Sequence, residues 1–135
     1  MHDQQLRDLM VQSANDAVNY ASEEFQLELD FSRESLLQLD SLVSALHQRQ
    51  KKQAHAHDLL FTLCTILGAY TGEVFRRELG GEWFHDKSTQ DAPYLCLTYL
   101  DKEFPFASVV YHKIMQDDSI SIAGYVEQAM ANATQ

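Results

Sequence analysis

The chain has five glycines, two prolines, two cysteines and one tryptophan in 135 residues. So little glycine and proline excludes collagen-like and low-complexity architectures. Cys64 and Cys96 both lie in apolar segments, and neither belongs to a CxxC pair. A cysteine-based metal or redox motif is therefore missing; two buried thiols are expected, and a disulfide between them stays open. Basic residues are also scarce. Ten Lys and Arg stand against twenty Asp and Glu, a net charge of −10. Phosphate binding draws mainly on Lys and Arg, so this balance argues against a nucleic-acid surface and an anionic membrane. It favours a basic partner, which such a charge would steer inward.

Long apolar runs are lacking too. The longest uncharged stretch in an apolar segment is Leu59 to Gly72, shorter than the ~20 residues of a membrane span. The N-terminal MHDQQLRDLM has no basic start followed by an apolar core. Without a secretory signal of that kind the expected location is the cytoplasm. No repeat or linker divides the sequence. One domain over residues 1–135 is expected, since this length suits a single core.

What is present is helical periodicity. Leu60, Leu63, Leu67, Tyr70 and Val74 recur on one face of a central helix from about Asp58. Asp58, Thr62, Thr65, Glu73 and Arg76 form its narrow polar strip, so the helix should be packed on several sides. Gly68 and Gly72 interrupt it at a cost of ~1 kcal/mol each against Ala. A close crossing by another element is the structural reading, and close approach to a ligand is the functional one; the first is preferred. Gly80 and Gly81 end the helix where the chain turns left-handed.

An amphipathic helix is expected over residues 3–27, with Leu6, Met10, Ala14, Ala17, Ala21 and Phe25 inward. Its small central side chains permit close packing. Ser32 is the expected N-cap of a second helix that runs to about residue 48, with Phe31 and Leu36 at hydrophobic-staple spacing. Residues 48–58 are expected to connect it to the central helix. Strands are expected over Glu82–His85 and Tyr94–Leu100, with a polar turn over Asp86–Ala92 between them and Pro93 opening the second. Residues 101–103 are expected as a turn. Pro105 suits the first turn of a helix through Phe106, Val109, Val110 and Ile114, although Val109–Tyr111 would also fit a strand. Asp117-Asp118-Ser119 is the expected cap of a last helix carrying Ile122, Val126, Ala129 and Met130. The fold class is α+β and mainly helical: three N-terminal helices, a small antiparallel hairpin and two C-terminal helices.

The stretch from Gly68 through Tyr70, Gly72, Glu73, Val74, Gly80 and Gly81 to Trp83 resembles the core of a family of small, uncharacterised bacterial proteins. Pro105-Phe106, Val109, Lys113 and Asp118-Ser119-Ile120 are similar to its second block, and Asp30-Phe31-Ser32 matches its helix opening. The resemblance covers about residues 30–130. It implies an architecture and a bacterial origin, and it carries no activity and no catalytic residue.

Chemistry is thinly represented. Glu73, Arg76, Arg77, His85 and His112 are the catalytic candidates. Glu73 and Arg77, four apart, are explained by a surface ion pair worth ~0.2–0.5 kcal/mol. His85 and Asp86, as strand neighbours, point to opposite faces. Nucleophile elbow, phosphate loop and zinc helix are all missing, so the reading leans against an enzyme and names no catalytic residue and no cofactor. His47, His55 and His57 are treated as solvated loop histidines without a metal, because a site needs further rigid ligands.

Glu23, Glu24, Glu28, Asp30 and Glu34 place five acids within twelve residues. Each by itself is explained as a solvated corner between helices. Together they are the expected docking surface for a basic protein, with Phe25 or Phe31 as an apolar anchor if exposed. An immunity-type inhibitor of a basic toxin ranks first. A structural or self-assembling housekeeping protein ranks second, which leaves homo-oligomerisation open. A small enzyme or metal protein ranks third.

Overall fold

The computed structural model describes residues 3–86 and 94–134. The turn expected after Asp86 and the strand-opening Pro93 lie outside them. The elements are α1 (Asp3–Phe25), α2 (Ser35–Lys52), α3 (His57–Leu79), β1 (Glu82–Asp86), β2 (Tyr94–Tyr99), β3 (Lys102–Phe104), α4 (Phe106–Met115) and α5 (Ile122–Ala133). This is the α+β, mainly helical architecture read from the sequence, three helices before the sheet and two after it.

α3 is the hub. It packs along α1 and against α4 and α5. Ala14, Ala17 and Ala21 of α1 are fully buried, so the small residues do mark a close helix contact. α3 is apolar and long enough to pass for a membrane span by composition, and 67% of its most apolar window is buried within the protein. α2 packs mainly on α4 and α5.

Gly68 and Gly72 explain how α3 receives its neighbours. A Cβ on Gly68 would lie 2.6 Å from Ala107 Cα, where the α4 backbone crosses. A Cβ on Gly72 would lie 2.2 Å from the Trp83 indole and 3.2 Å from the Phe106 ring. Both glycines therefore sit against bulk that has no room to give. α3 ends at Gly80, whose N–H donates to the Arg76 carbonyl. Gly80 and Gly81 have φ of 101° and 119°, conformations that L side chains rarely adopt.

The sheet has the order β1-β2-β3, antiparallel throughout. Trp83 pairs with Leu97, and Leu97 with Phe104, so these three share the face turned to the core. β3 corrects the expected turn over residues 101–103. Leu100, at φ 58°, makes the tight reversal that lets Lys102–Phe104 pair back on β2. Phe106–Met115 is helix, which settles the choice over Val109–Tyr111. Cys64 and Cys96 are both buried and no disulfide joins them. Burial pushes the Cys64 thiol up to about 12.

Four helix boundaries move. α1 ends at Phe25, two residues early. α2 starts at Ser35, because residues 31–34 form a tight turn in which Ser32 Oγ still accepts from the Ser35 N–H at 3.1 Å. It continues to Lys52, leaving a connection of only 53–56. α5 starts at Ile122 rather than after Ser119: Asp117 instead closes a local turn on the Ser119 N–H. The α5 amides of Ile122 and Ala123 donate to the Asp40 carboxylate of α2 at 2.6 and 3.0 Å. Ser121 completes the cap by accepting from the Gly124 N–H.

Candidate functional site

The acidic corner begins where α1 ends. Gln26 at φ 56° and Phe31 at φ 64° turn the chain on either side of an extended segment. Leu29 is buried and pins that segment to the core. Glu23, Glu24, Glu28, Asp30 and Glu34 are all exposed, and no ion pair engages any of them among the described residues. Asp30 accepts from the Ser32 hydroxyl and amide, which hold its carboxyl below the usual range.

The two expected anchors are not free. Phe25 is half-buried, edge-on to Tyr20, with the Arg49 guanidinium 4.7 Å from its ring centre. Phe31 is sandwiched between Tyr70, at 4.7 Å, and Arg77, at 3.6 Å. Cation–π contacts of this kind hold each ring against its own protein. Beneath Phe31 runs a chain of hydrogen bonds. The Phe31 N–H donates to the Tyr70 hydroxyl, which meets Ser35 Oγ at 2.6 Å, and Ser35 donates to the Ser32 carbonyl. Burial pushes the Tyr70 hydroxyl up, and these bonds offset part of that. Arg33 is also committed, to Glu78 at 2.7 Å.

The apolar surface lies one step further along. A groove of about 300 Å³ between α2 and α5 is lined by Arg33, Glu34, Leu36, Leu37, Ala123, Val126 and Glu127. Glu34 belongs to both the corner and the groove. Leu37 is 64% exposed. Sequence reasoning missed it, although the signal was there: Leu37 falls outside the Leu36–Leu39–Val43–Leu46 stripe and so faces away from the core. The contribution of α5 had no sequence signal, since it depends on how α5 docks.

The catalytic candidates do not assemble. Glu73 is fully buried and bonded to Arg76 at 2.6 and 2.9 Å and to Trp83 Nε1 at 2.9 Å. The expected surface pair with Arg77 is thus replaced by an interior bracket, since Arg77 lies on Phe31. Burial acts to raise the Glu73 carboxyl; the bonds from Arg76 and Trp83 and the charges of Arg76 and Arg77 outweigh it and hold it low. Both oxygens of this carboxylate are engaged by the fold. His85 sits on β1, and His112 is exposed on α4, bonded to Gln116.

The histidines do not gather either. His47 is no loop residue: it is buried in α2, with Nδ1 2.8 Å from the Ile114 carbonyl. His55 bonds Gln50, and His57 opens α3. Among the described residues no three His, Cys, Asp or Glu side chains are placed to hold a metal. The remaining buried charge is Lys113, which donates to the Asp118 and Ile120 carbonyls at 2.8 and 2.5 Å. It clamps the α4–α5 turn, and Asp40 lies 3.9 Å away. No protein-family model, curated protein or solved structure matches the chain.

Proposed function

We propose that this is a non-enzymatic bacterial protein-binding protein, an immunity-type inhibitor of a basic toxin or effector, and that the partner docks on the acidic corner and the adjoining α2–α5 groove. One observation carries the reading. Five exposed acids without an ion pair among the described residues run from Glu23 to Glu34 and meet, at Glu34, a groove that presents Leu37. Unpaired acids supply long-range attraction and speed encounter. An apolar side chain beside a concavity supplies the desolvated contact that slows release. Leu37 takes the role first given to Phe25 and Phe31, whose rings are covered by Arg49 and Arg77.

The test is capture of the partner from the native host, followed by binding kinetics across a salt series. Association slows as salt rises, since screening sets in over ~8 Å at physiological ionic strength. Glu23→Lys, Glu24→Lys and Glu28→Lys together slow association further. Leu37→Asp speeds dissociation instead. An acidic partner, or rates indifferent to both salt and the triple substitution, would overturn the proposal.

A further inference from the structure

Most cationic side chains are committed within the fold. Arg7, Arg33 and Arg76 pair with Glu82, Glu78 and Glu73, and Lys113 clamps the α4–α5 turn. Arg77 lies on Phe31, and Lys102 bonds the Asn132 carbonyl at the end of α5. Arg49 lies on Phe25 in the same way, but it is grouped with Lys51 and Lys52. They crowd the last turn of α2 with no acid in an ion pair among the described residues. Beside them is a shallow, largely open depression of about 380 Å³ lined by Arg49, Lys52, Gln53, Ala54 and His55.

Two of its polar groups are positioned in advance. The Arg49 guanidinium carbon lies 4.7 Å from the Phe25 ring centre, a cation–π contact that restrains the side chain. The His55 backbone N–H donates to Gln50 Oε1 at 2.9 Å, and His55 Nδ1 lies 2.6 Å from the same oxygen. An amide oxygen only accepts, so Nδ1 carries the proton and Nε2 of the neutral ring is an acceptor, suited to a hydroxyl of a ligand. Lys52 adds a charge on a flexible stem. Glu24 acts on the same Tyr20 hydroxyl as Arg49 and offsets part of the charge on that side.

We propose that this opening binds a small phosphorylated molecule, with the phosphoryl oxygens taken by Arg49 and Lys52 and a hydroxyl of the ligand donating to His55 Nε2. A guanidinium fork and an ammonium beside one concavity match a compact, multiply charged oxyanion, and the imidazole nitrogen accepts from a protonated oxygen on it. The opening has room for an organic body against Ala54 as well. The net charge of −10 does not forbid this. A small anion seated within ~8 Å of these cations responds to them, while the remote acids are screened. A nucleic acid would run out of the opening onto acidic surface.

Inorganic pyrophosphate is the probe, titrated into isotope-labelled full-length protein with sulfate in parallel. Amide signals of residues 49–55 shift saturably, and pyrophosphate binds tighter than sulfate. Arg49→Ala with Lys52→Ala weakens binding by at least about tenfold, a loss of 1.4 kcal/mol or more. Lys51→Ala removes an equal charge outside the lining and weakens it far less. His55→Gln keeps a polar side chain, removes the imidazole, and provides a second reading if the double variant melts early. Shifts that never saturate, shifts spread over the surface, or equal losses in the double variant and Lys51→Ala would refute the site.

Discussion

Glu73 is fully buried and held by three hydrogen bonds, whereas Glu28 faces water in no ion pair. The same side chain serves opposite ends in the two places. Around Glu73 the charge is spent: Arg76 and Trp83 engage both its oxygens, and Trp83 in turn fills the space over Gly72. On the corner the charge is kept. Aromatic rings there are covered by Arg49 and Arg77, and the carboxylates are left to the solvent. The buried Glu73 charge is part of how α3 meets the sheet, whereas the corner charges face the solvent.

If that contrast holds, substitutions in the bracket act on stability and substitutions on the corner act on encounter. The largest effect is expected from Glu73→Ala. Removing one partner of a buried ion pair costs ~3–5 kcal/mol, and here it also strands the Trp83 N–H. Thermal unfolding reads this as a large fall in Tm. A change under about 1 kcal/mol would place Glu73 with the corner acids and end the comparison.

Gly68→Ala and Gly72→Ala come next. Each destabilises by ~1–3 kcal/mol through overpacking, where an exposed helix would gain ~1 kcal/mol from the same change. Gly68 is the worse case, because the α4 backbone must move. Trp83 is little freer, since its indole is tethered to Glu73. Denaturant midpoints distinguish the two signs.

Acid sharpens the contrast. The Glu73 carboxyl is held below its ordinary value of 4.5 in the folded protein. A depressed folded value gives stabilisation that is present above the unfolded value and is lost as pH falls through the folded one. Stability therefore falls below pH 4.5, and it falls less steeply in Glu73→Gln, which has no proton to gain. Urea midpoints measured at several pH values check the slope.

Asp40→Ala is expected to cost ~0.5–2 kcal/mol as a lost helix cap. Its mark is faster hydrogen exchange at the Ile122 and Ala123 amides. The smallest effect belongs to Glu23→Lys, Glu24→Lys and Glu28→Lys, each within ~0.5 kcal/mol in stability. A large loss of Tm in these variants would show that the corner is structural after all.

The helices were legible because their apolar stripes are long and regular, and Gly68 and Gly72 were legible because glycine inside such a stripe needs a neighbour. β3 was not, because Lys-Glu-Phe has no alternation and is made a strand by the Leu100 reversal and by pairing with β2. Glu73 sits on the polar strip by periodicity alone; its burial depends on Trp83 arriving from β1. The α5 start was misplaced for a similar reason, since its capping carboxylate comes from α2 rather than from the preceding turn. On the corner the acids were legible as a cluster, while the covering of Phe25 and Phe31 by arginines from other helices was not. Local patterns fixed the elements, and contacts between distant residues fixed what each charged side chain does.

Asp40 and Ile122 are 82 residues apart in the chain. At synthesis rates of ~5–20 residues per second, the carboxylate leaves the ribosome's catalytic centre roughly 4 to 16 s before the helix it caps. α2 waits with it, because the elements it packs on, α4 and α5, are made last. During that interval the faces of α2 that pack on α4 and α5 lack those neighbours. Transiently exposed apolar surface is aggregation-prone, and the arrival of α4 and α5 covers this part of it.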